Sequence, residues 1–265
     1  CPVIYYILPK LWAWRAGRIR QLRRYVDLGL SILPFETSYF SDRGLRTEYI
    51  GNPCVDAKLT YLAEHPEAVE RDQMLLLVPG SRQSELRDNL PEMLAATAAY
   101  SQLGWRVVIA GAPGLTAADY TPHLGKYSDT PILFGDTYGL MRRAHAALVT
   151  SGTATLEAGL WGIPMVVCYR MGGRHIARLV FEHLFRVPYF SLVNLILDRP
   201  AVPELLADRA HSVQILSILS HLIPEEDHRR TDQLQAFAQL QELMGTEPSA
   251  PRAARAILSY LHEAR

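Results

Sequence analysis

The sequence is poor in cysteine, in net charge and in long apolar runs. It has three cysteines, Cys1, Cys54 and Cys168. Their number is odd and no two have metal-ligand spacing, which argues against a disulfide framework and favours a reducing cytoplasm. Lys+Arg and Asp+Glu stand at 27 each. No global charge therefore calls for nucleic acid or an anionic membrane, and such a partner would have to be met by a local patch. No nucleic-acid partner is expected. No apolar run approaches the ~20 residues of a membrane-spanning helix, and no signal peptide, internal repeat or low-complexity segment is recognisable. The nine histidines form no HExxH or other ligand pattern, so no metal is expected, and no cofactor either. The GxxxxGK[ST] and GxGxxG spacings are both absent, and no Ser-His-Asp constellation can be argued from spacing. A starting methionine is also lacking. The chain opens with "CPVIYYILPK" in an apolar, strand-like run, and the expectation is that an N-terminal part is missing.

What is present is an α/β pattern. The 265 residues, 49% of them hydrophobic, can fill one large α/β domain or two small ones. Val3–Leu8 and Leu28–Leu33 read as strands, Trp12–Tyr25 as a basic helix or loop-helix, "PFE" as the start of a short helix, Tyr49–Pro53 as a strand end with a turn, and 57–71 as helical. From Met74 to Arg170 continuous apolar strands alternate with helices. The strands are Met74–Arg82, Trp105–Gly114, Pro131–Asp136, Ala146–Thr150 and Pro164–Arg170. The clearest helix is Asn89–Leu103, with Leu90, Met93, Leu94 and Thr97 at helical spacing. That alternation predicts a parallel sheet covered on both faces. Beyond residue 170 the chain reads as mostly helical: "HIARLVFEHLF", "LLADRAHSVQILSILSHLI" and a tail over 231–263, broken at "GTEPSAP".

Two loops carry candidate chemistry. Ser151–Thr155 follows the strand at 146–150 and opens a helix near Thr153. In an open parallel sheet ligands sit beyond the carboxyl ends of the strands, and the free N–H groups of a helix N-terminus suit a phosphate. Gly152 admits close backbone approach, and Ser151, Thr153 and Thr155 offer hydroxyl donors. Glu157, about one turn in, can accept from a ribose diol. The plainer reading is a capping box, a Ser or Thr cap with Glu a few residues on; a cap needs one hydroxyl, whereas this loop offers three and a glycine. "PGSRQSE", Pro79–Glu85, is the second loop. Its Arg82 can grip a diphosphate with a planar fork, or simply pair with Glu85. Together the two loops suggest a nucleoside diphosphate ligand. A third stretch holds six basic residues from Lys10 to Arg24, with Trp12 and Trp14 at its head. It suits anionic lipid headgroups or a phosphorylated ligand, or it is a solvated helix face.

The segments "YYILPKLWAWRAGRIRQLRRYVD", "LPFE", "YIGNPCVD", "LLVPGSRQSE", "VTSGTATLEAGLWGIPMVVCYR" and "SLVNLI…VPELL" occur in that order between residue 5 and about 206. Together they resemble the lipid-A-disaccharide synthase family, inverting glycosyltransferases (family 19) of the GT-B fold. The resemblance implies an α/β chain with a Rossmann-like donor domain over residues 53–200. It also implies the remainder of an N-terminal, acceptor-side Rossmann-like domain over 1–52 and a C-terminal helical segment, 201–265, packing back across them. The implied reaction condenses UDP-2,3-diacylglucosamine with 2,3-diacylglucosamine 1-phosphate (lipid X). It yields lipid A disaccharide 1-phosphate and UDP, without a metal, in lipid A and lipopolysaccharide biosynthesis. The implied place is the cytoplasmic face of the inner membrane of a Gram-negative bacterium, held peripherally, and the tail at 231–263 permits a homodimer.

By resemblance, Gly80, Ser81 and Arg82 face the donor diphosphate, and Ser151, Gly152, Thr153 and Thr155 hold phosphate. Glu157 holds the ribose, and Asn194 and Arg170 belong to the same site. Trp12, Trp14, Arg15 and Arg18 lie on the membrane or acceptor side. The catalytic base is expected upstream of Cys1, so no residue here is named for it. Three departures from the family pattern stand out: Ile7-Leu8-Pro9 in place of V-S-P, Asn52 in place of a histidine, and Val193 in place of a proline. The first two are expected at the cleft edge, and the third is expected to loosen the loop carrying Asn194. Two other readings stay open, a UDP-N-acetylglucosamine 2-epimerase-like GT-B enzyme and a non-catalytic UDP-sugar-binding module.

Overall fold

The computed structural model describes residues 1–13, 16–150, 152–170 and 188–263. Trp14, Arg15, Ser151 and the expected helix "HIARLVFEHLF" lie outside the described residues. The chain divides into two compact units, taken in turn below.

The first unit holds residues 1–65 and the chain from Leu240 onward. Strands β1 (Ile4–Tyr6), β2 (Leu28–Ser31) and β3 (Thr47–Tyr49) form a parallel sheet in that order. Helices α1 (Ile19–Tyr25), α2 (Pro34–Ser41) and α3 (Pro53–Glu64) follow the three strands or lead into them. The expected helix at 57–71 instead starts at Pro53 and stops at Glu64. Asn52 caps it, its Oδ1 accepting from the Cys54 N–H at 2.9 Å, and Pro53 occupies the first turn, where a missing N–H costs nothing. Buried Leu28, Leu30 and Ile50 pack against Ala253 and Ala256 of the C-terminal helix Ser249–Glu263.

The second unit holds residues 66–170 and 189–239 of the described chain. Its six strands are β4 (Met74–Val78), β5 (Arg106–Gly111), β6 (Ile132–Phe134), β7 (Ala146–Val149), β8 (Met165–Tyr169) and β9 (Glu204–Leu206). All pair in parallel, in the order β6-β5-β4-β7-β8-β9. From β4 the chain winds outward through β5 and β6. It then crosses back to lay β7 against the other side of β4 and winds outward again. The intervening helices are α4 (Gln83–Gln102), α5 (Ala117–Leu124), α6 (Thr137–Arg143) and α7 (Thr153–Leu160). Helix α8 (Leu192–Leu197) precedes β9, and α9 (Ser212–Leu219) follows it. Helix α10 (His228–Met244) gives residues up to Gln239 to this unit and the rest to the first. Helix α11 is Ser249–Glu263.

The runs "MLLLV" and "AALV" are apolar throughout because both faces of the sheet are covered. On one face Leu75 and Leu77 of β4 join Leu86, Leu90, Met93 and Leu94 of α4, with Tyr120 of α5 and Ile215 and Leu219 of α9. Helix α4 begins six residues before its expected start at Asn89. Leu86 extends the buried stripe backward by one turn, and a capping box closes the new N-terminus at Arg82 and Glu85. Helix α5 has no counterpart in the sequence reading; a capping box between Thr116 and Asp119 opens it. The segment beginning "LLADR" is a correction. Leu205 and Leu206 extend the sheet edge beside Cys168 and Tyr169, and the helix starts only at Ser212. Buried on the sheet, Leu205 gains more from strand pairing than from its helical propensity.

Leu77→Ala removes a fully buried side chain from the central strand β4. It is expected to cost about 2–5 kcal/mol, read as a lower urea midpoint at unchanged m-value.

Candidate functional site

The order of strands decides where a ligand fits. A doubly wound sheet leaves a crevice where the chain reverses direction, beyond the carboxyl ends of the strands. Here the reversal lies between β4 and β7. The loop after β4 carries Gly80, Ser81 and Arg82, and the loop after β7 carries Gly152 and Thr153. Both line one cleft, a cavity of about 350 Å³. Ala110–Pro113, from the end of β5, forms another wall with Thr137 and Met141 of α6, while Thr150 and Glu157 lie along the β7–α7 side.

The two helix N-termini in this cleft are not equivalent. At α4 the Glu85 carboxylate turns back and accepts from the Ser81 N–H at 2.8 Å and the Arg82 N–H at 3.3 Å. Those amides are spent within the fold. Gly80 makes room for this, with φ +115° and a position where a Cβ would run into the Glu85 side chain. At α7 the N-cap is Gly152, with φ 136° and ψ −157°, a backbone conformation almost confined to glycine. Among the described residues no side chain caps α7 and no acid stands in its first turn. Among the described residues Glu157 makes no capping bond to the start of α7; its described partner is Tyr138. The N–H groups and positive dipole end of α7 face the cleft and suit an anion.

Arg82 donates to Glu85 Oε1 at 2.8 Å, so the pairing open from sequence is made. The pair is lopsided: the Arg82 side chain is 75% exposed and that of Glu85 13%. Glu85 is anchored by two backbone amides, and an exposed ion pair contributes little, so the guanidinium can turn toward a phosphate at small cost. Glu157 lies across the cleft and accepts from the Tyr138 hydroxyl at 2.8 Å. Two carboxylates and one guanidinium line the cavity among the described residues. What the cleft offers an anion is therefore oriented backbone dipoles and one arginine, not net positive charge.

Other expected site residues are placed elsewhere. Thr155 is fully buried behind the loop. Its Oγ1 donates to the Gly152 carbonyl at 2.8 Å and accepts from the Leu192 N–H at 3.2 Å, so it braces the loop from within. Asn194 is buried in α8 with its amide saturated. Nδ2 donates to the Val202 carbonyl at 2.9 Å and to Glu204 Oε1 at 2.8 Å, and Oδ1 accepts from the Val202 N–H at 2.8 Å. That network clasps α8 to the edge strand β9. The expected loosening by Val193 is not seen: Val193 is fully buried and Asn194 is held from both ends. Arg170 pairs with Glu92, and its N–H donates to Asn89 Oδ1 at 2.8 Å. It lines a neighbouring recess with Arg82, Arg87 and Tyr169 rather than the main cleft.

In the first unit, Trp12 spends its indole N–H on buried Glu36 at 2.9 Å and packs edge-on to Phe35. Burial pushes the Glu36 carboxyl above its usual range, while the Trp12 bond opposes that rise. Arg18 is exposed. Asn52 is buried; besides capping α3 it donates to the Ile32 carbonyl at 2.8 Å, which leaves its amide little capacity for a ligand. Leu8, in the family's serine position, is buried over Gly29, where a Cβ would collide with it.

Thr150 was missed from sequence. It ends β7, lines the cleft, and its buried hydroxyl has no partner among the described residues. The signal available was its place as the last residue of an apolar strand, where a hydroxyl is out of pattern. Ala110–Pro113 was missed because its contribution is backbone, which residue type does not reveal.

A doubly wound parallel sheet with a helix N-terminus that no described side chain caps at its switch point is the architecture of nucleotide-binding α/β enzymes. Solved structures of that class superimpose on it. One is UDP-GlcNAc 2-epimerase from Neisseria meningitidis bound to UDP-GlcNAc, with a TM-score of 0.57 and 13% identity over 91% of this chain and 63% of that one. Another is Arabidopsis thaliana UGT89C1 complexed with UDP, with a TM-score of 0.52 and 12% identity over 98% and 67%. At such identities the likeness establishes the fold, GT-B.

The sequence matches the Lipid-A-disaccharide synthetase family over residues 1–257. Lipid-A-disaccharide synthase of Myxococcus xanthus is 36% identical over 100% of this chain and 70% of its own length, and that of Acidobacterium capsulatum 34% over 94% and 66%. The chain belongs to the lipid-A-disaccharide synthase family of glycosyltransferases and spans roughly two thirds of the length of these relatives.

Asn194→Ala is expected to destabilise the second unit by about 2–4 kcal/mol, since it leaves the buried Val202 N–H without its partner. At a temperature where the variant stays folded, its UDP affinity should match the parent within about twofold, as read by calorimetry.

Proposed function

We propose that this chain binds the donor nucleotide of a glycosyltransferase that condenses UDP-2,3-diacylglucosamine with 2,3-diacylglucosamine 1-phosphate. The products are the β-1,6-linked lipid A disaccharide 1-phosphate and UDP. One observation carries the reading: the loops after β4 and β7 meet at the switch point around a helix end that no described side chain caps. Family membership supplies the identity of the sugars.

In this reading the donor diphosphate lies on the N-terminus of α7. Gly152 brings the backbone close, the Thr153 hydroxyl donates, Ser151 belongs to the same loop, and Arg82 swings from Glu85 to the phosphate oxygens. Glu157 accepts from the ribose hydroxyls, an orientation that sets the anomeric carbon in register with the acceptor. As the bond from that carbon to the diphosphate oxygen breaks, negative charge grows on the departing UDP. The α7 amides and Arg82 stabilise it without reorganising. Inversion also requires a group that takes the proton from the acceptor 6-hydroxyl, and none of the residues named here is assigned to it.

The basic stretch of the first unit fits a lipid-bearing substrate. Arg18, Arg20, Arg23 and Arg24 are exposed, and Tyr25 beside them is 62% exposed. Exposed arginines with an aromatic ring suit the anionic headgroup layer. We place this stretch at the cytoplasmic surface of the inner membrane. No described helix is long and apolar enough to cross a membrane.

Arg82→Ala and Glu157→Ala are each expected to weaken UDP binding about ten- to a hundredfold, the loss of one charge-assisted contact. Unchanged affinity in both, measured by calorimetry, would overturn the nucleotide site. With the full-length protein, acylated UDP-glucosamine donor and lipid X should yield disaccharide 1-phosphate. Isomerisation of the UDP-sugar without acceptor, or transfer from unacylated donor only, would overturn the substrate assignment.

A further inference from the structure

Glu157 is the ribose carboxylate of the reading above, yet nothing in its own helix holds its side chain in place. It sits in the second turn of α7, past the N-terminal amides that anchor Glu85 in α4. A glutamate has three side-chain torsions, and one that must meet two hydroxyls at fixed positions loses affinity with each rotamer it explores. Something outside α7 has to select the rotamer.

The structure points to Tyr138. Its hydroxyl donates to Glu157 Oε1 at 2.8 Å, across nineteen positions of sequence and from a different helix, α6. We propose that Tyr138 is a positioning residue that orients the Glu157 carboxylate toward the ribose diol, and so sets the enzyme's preference for a ribonucleotide donor. This inference rests on the ribose role of Glu157.

Three observations make Tyr138 suited to that task. First, its ring is itself held. It lies 5.7 Å from the Trp161 ring, tilted at 45°, and Trp161 is a buried residue at the C-cap of α7, one turn beyond Glu157. The phenol is thus braced by α7 at one point and bonded to it at another, which fixes the direction of its O–H. Second, the start of α6 is fixed. Asp136 caps it, its Oδ1 accepting from the Gly139 N–H at 2.9 Å, and a Cβ on Gly139 would collide with that carboxylate. The backbone carrying Tyr138 therefore has little freedom. Third, Tyr138 is absent from the cleft wall, while its neighbour Thr137 and Met141 of the same helix form part of it. Its hydroxyl thus reaches Glu157 without itself forming part of that wall.

The chemistry follows from the bonding capacity of each group. A carboxylate accepts at two oxygens. The phenol occupies one site on Oε1 and fixes the plane of the group, so that the other oxygen can be presented to the diol. A phenol donating to a carboxylate is a charge-assisted hydrogen bond, about twice as strong as a neutral one. It also withdraws charge from Oε1, which moderates the repulsion between Glu157 and a diphosphate in the same cleft.

The test compares UDP with 2′,3′-dideoxy-UDP, which lacks the hydroxyls Glu157 would accept from. Dissociation constants are measured by calorimetry for the parent chain, Tyr138→Phe, Glu157→Ala and the double variant. Tyr138→Phe keeps the ring against Trp161, and its circular dichroism and melting temperature check that it is folded. It is expected to bind UDP about tenfold more weakly and the dideoxy ligand within about twofold of the parent. In the Glu157→Ala background the same change should add nothing for either ligand. Equal weakening toward both ligands would make Tyr138 merely structural and overturn the proposal. So would an undiminished effect in the Glu157→Ala background, or unchanged UDP affinity in Tyr138→Phe. Should Glu157→Ala itself bind both ligands as the parent does, the ribose reading fails and the proposal falls with it. Should Glu157→Ala lose its preference for UDP while Tyr138→Phe keeps it, the ribose reading stands and the proposal alone falls. If Tyr138→Phe does not fold, Trp161→Phe supplies the second handle: by loosening the brace on the ring it should lower the preference for UDP over the dideoxy ligand, and an unaltered preference would count against the proposal.

Discussion

The reversal of strand order between β4 and β7 is the constraint on which the site depends. Adjacent parallel strands wound in one direction send their following loops to the same side, and those loops close over the strand ends. Where winding reverses, the two loops part and leave a crevice. Here they are the loops of Gly80 and Gly152, and each needs a backbone conformation that only glycine adopts easily. The buried strands beneath them, apolar on both faces, hold the crevice at fixed width. The course of the chain at these two glycines is thus supported by the packing of the whole sheet.

Among the residues expected at the site, use of bonding capacity separates support from function. Thr155, Asn194, Asn52 and Trp12 are polar residues in motif-rich segments, and each spends its hydrogen bonds inside the fold. A buried group so satisfied cannot turn to a ligand without leaving a partner unpaired, at a cost of about 1–3 kcal/mol. Their role is to hold loops and edges in place. The N-terminus of α7 is the converse. It has no side-chain cap among the described residues, and a helix end of that kind facing a cavity is disposed toward an anion. The α4 end, by contrast, is closed by Glu85, which leaves the Arg82 side chain as its contribution to the cleft.

Much of the second unit was legible in the sequence. Four continuous apolar runs of four or more residues became central strands, because a strand buried on both faces has no polar alternation to hide it. Helix α7 began where expected, at Thr153. The reading erred where tertiary contact outweighs local preference. Leu205 and Leu206 lie in a leucine-rich stretch that looks helical, yet they pair with Cys168 and Tyr169 at the sheet edge. The early start of α4 turned on Glu85 reaching back to its own amides, and α5 on a cap whose partners are three residues apart within a polar stretch.

By itself, the sequence determined that the protein is α/β and that two strand-to-helix loops carry glycine, hydroxyl residues and an arginine. It also carried family membership, because order and spacing of motifs survive in the chain regardless of its folding. Only the tertiary structure decided which motif residues face the cleft. Neighbours in sequence such as Thr153 and Thr155 point to opposite sides of their helix, and residues distant in sequence such as Tyr138 and Glu157 meet. Residue type states what a side chain can bond to; the packing of α6 against α7, and of α8 against β9, settles what it does bond to.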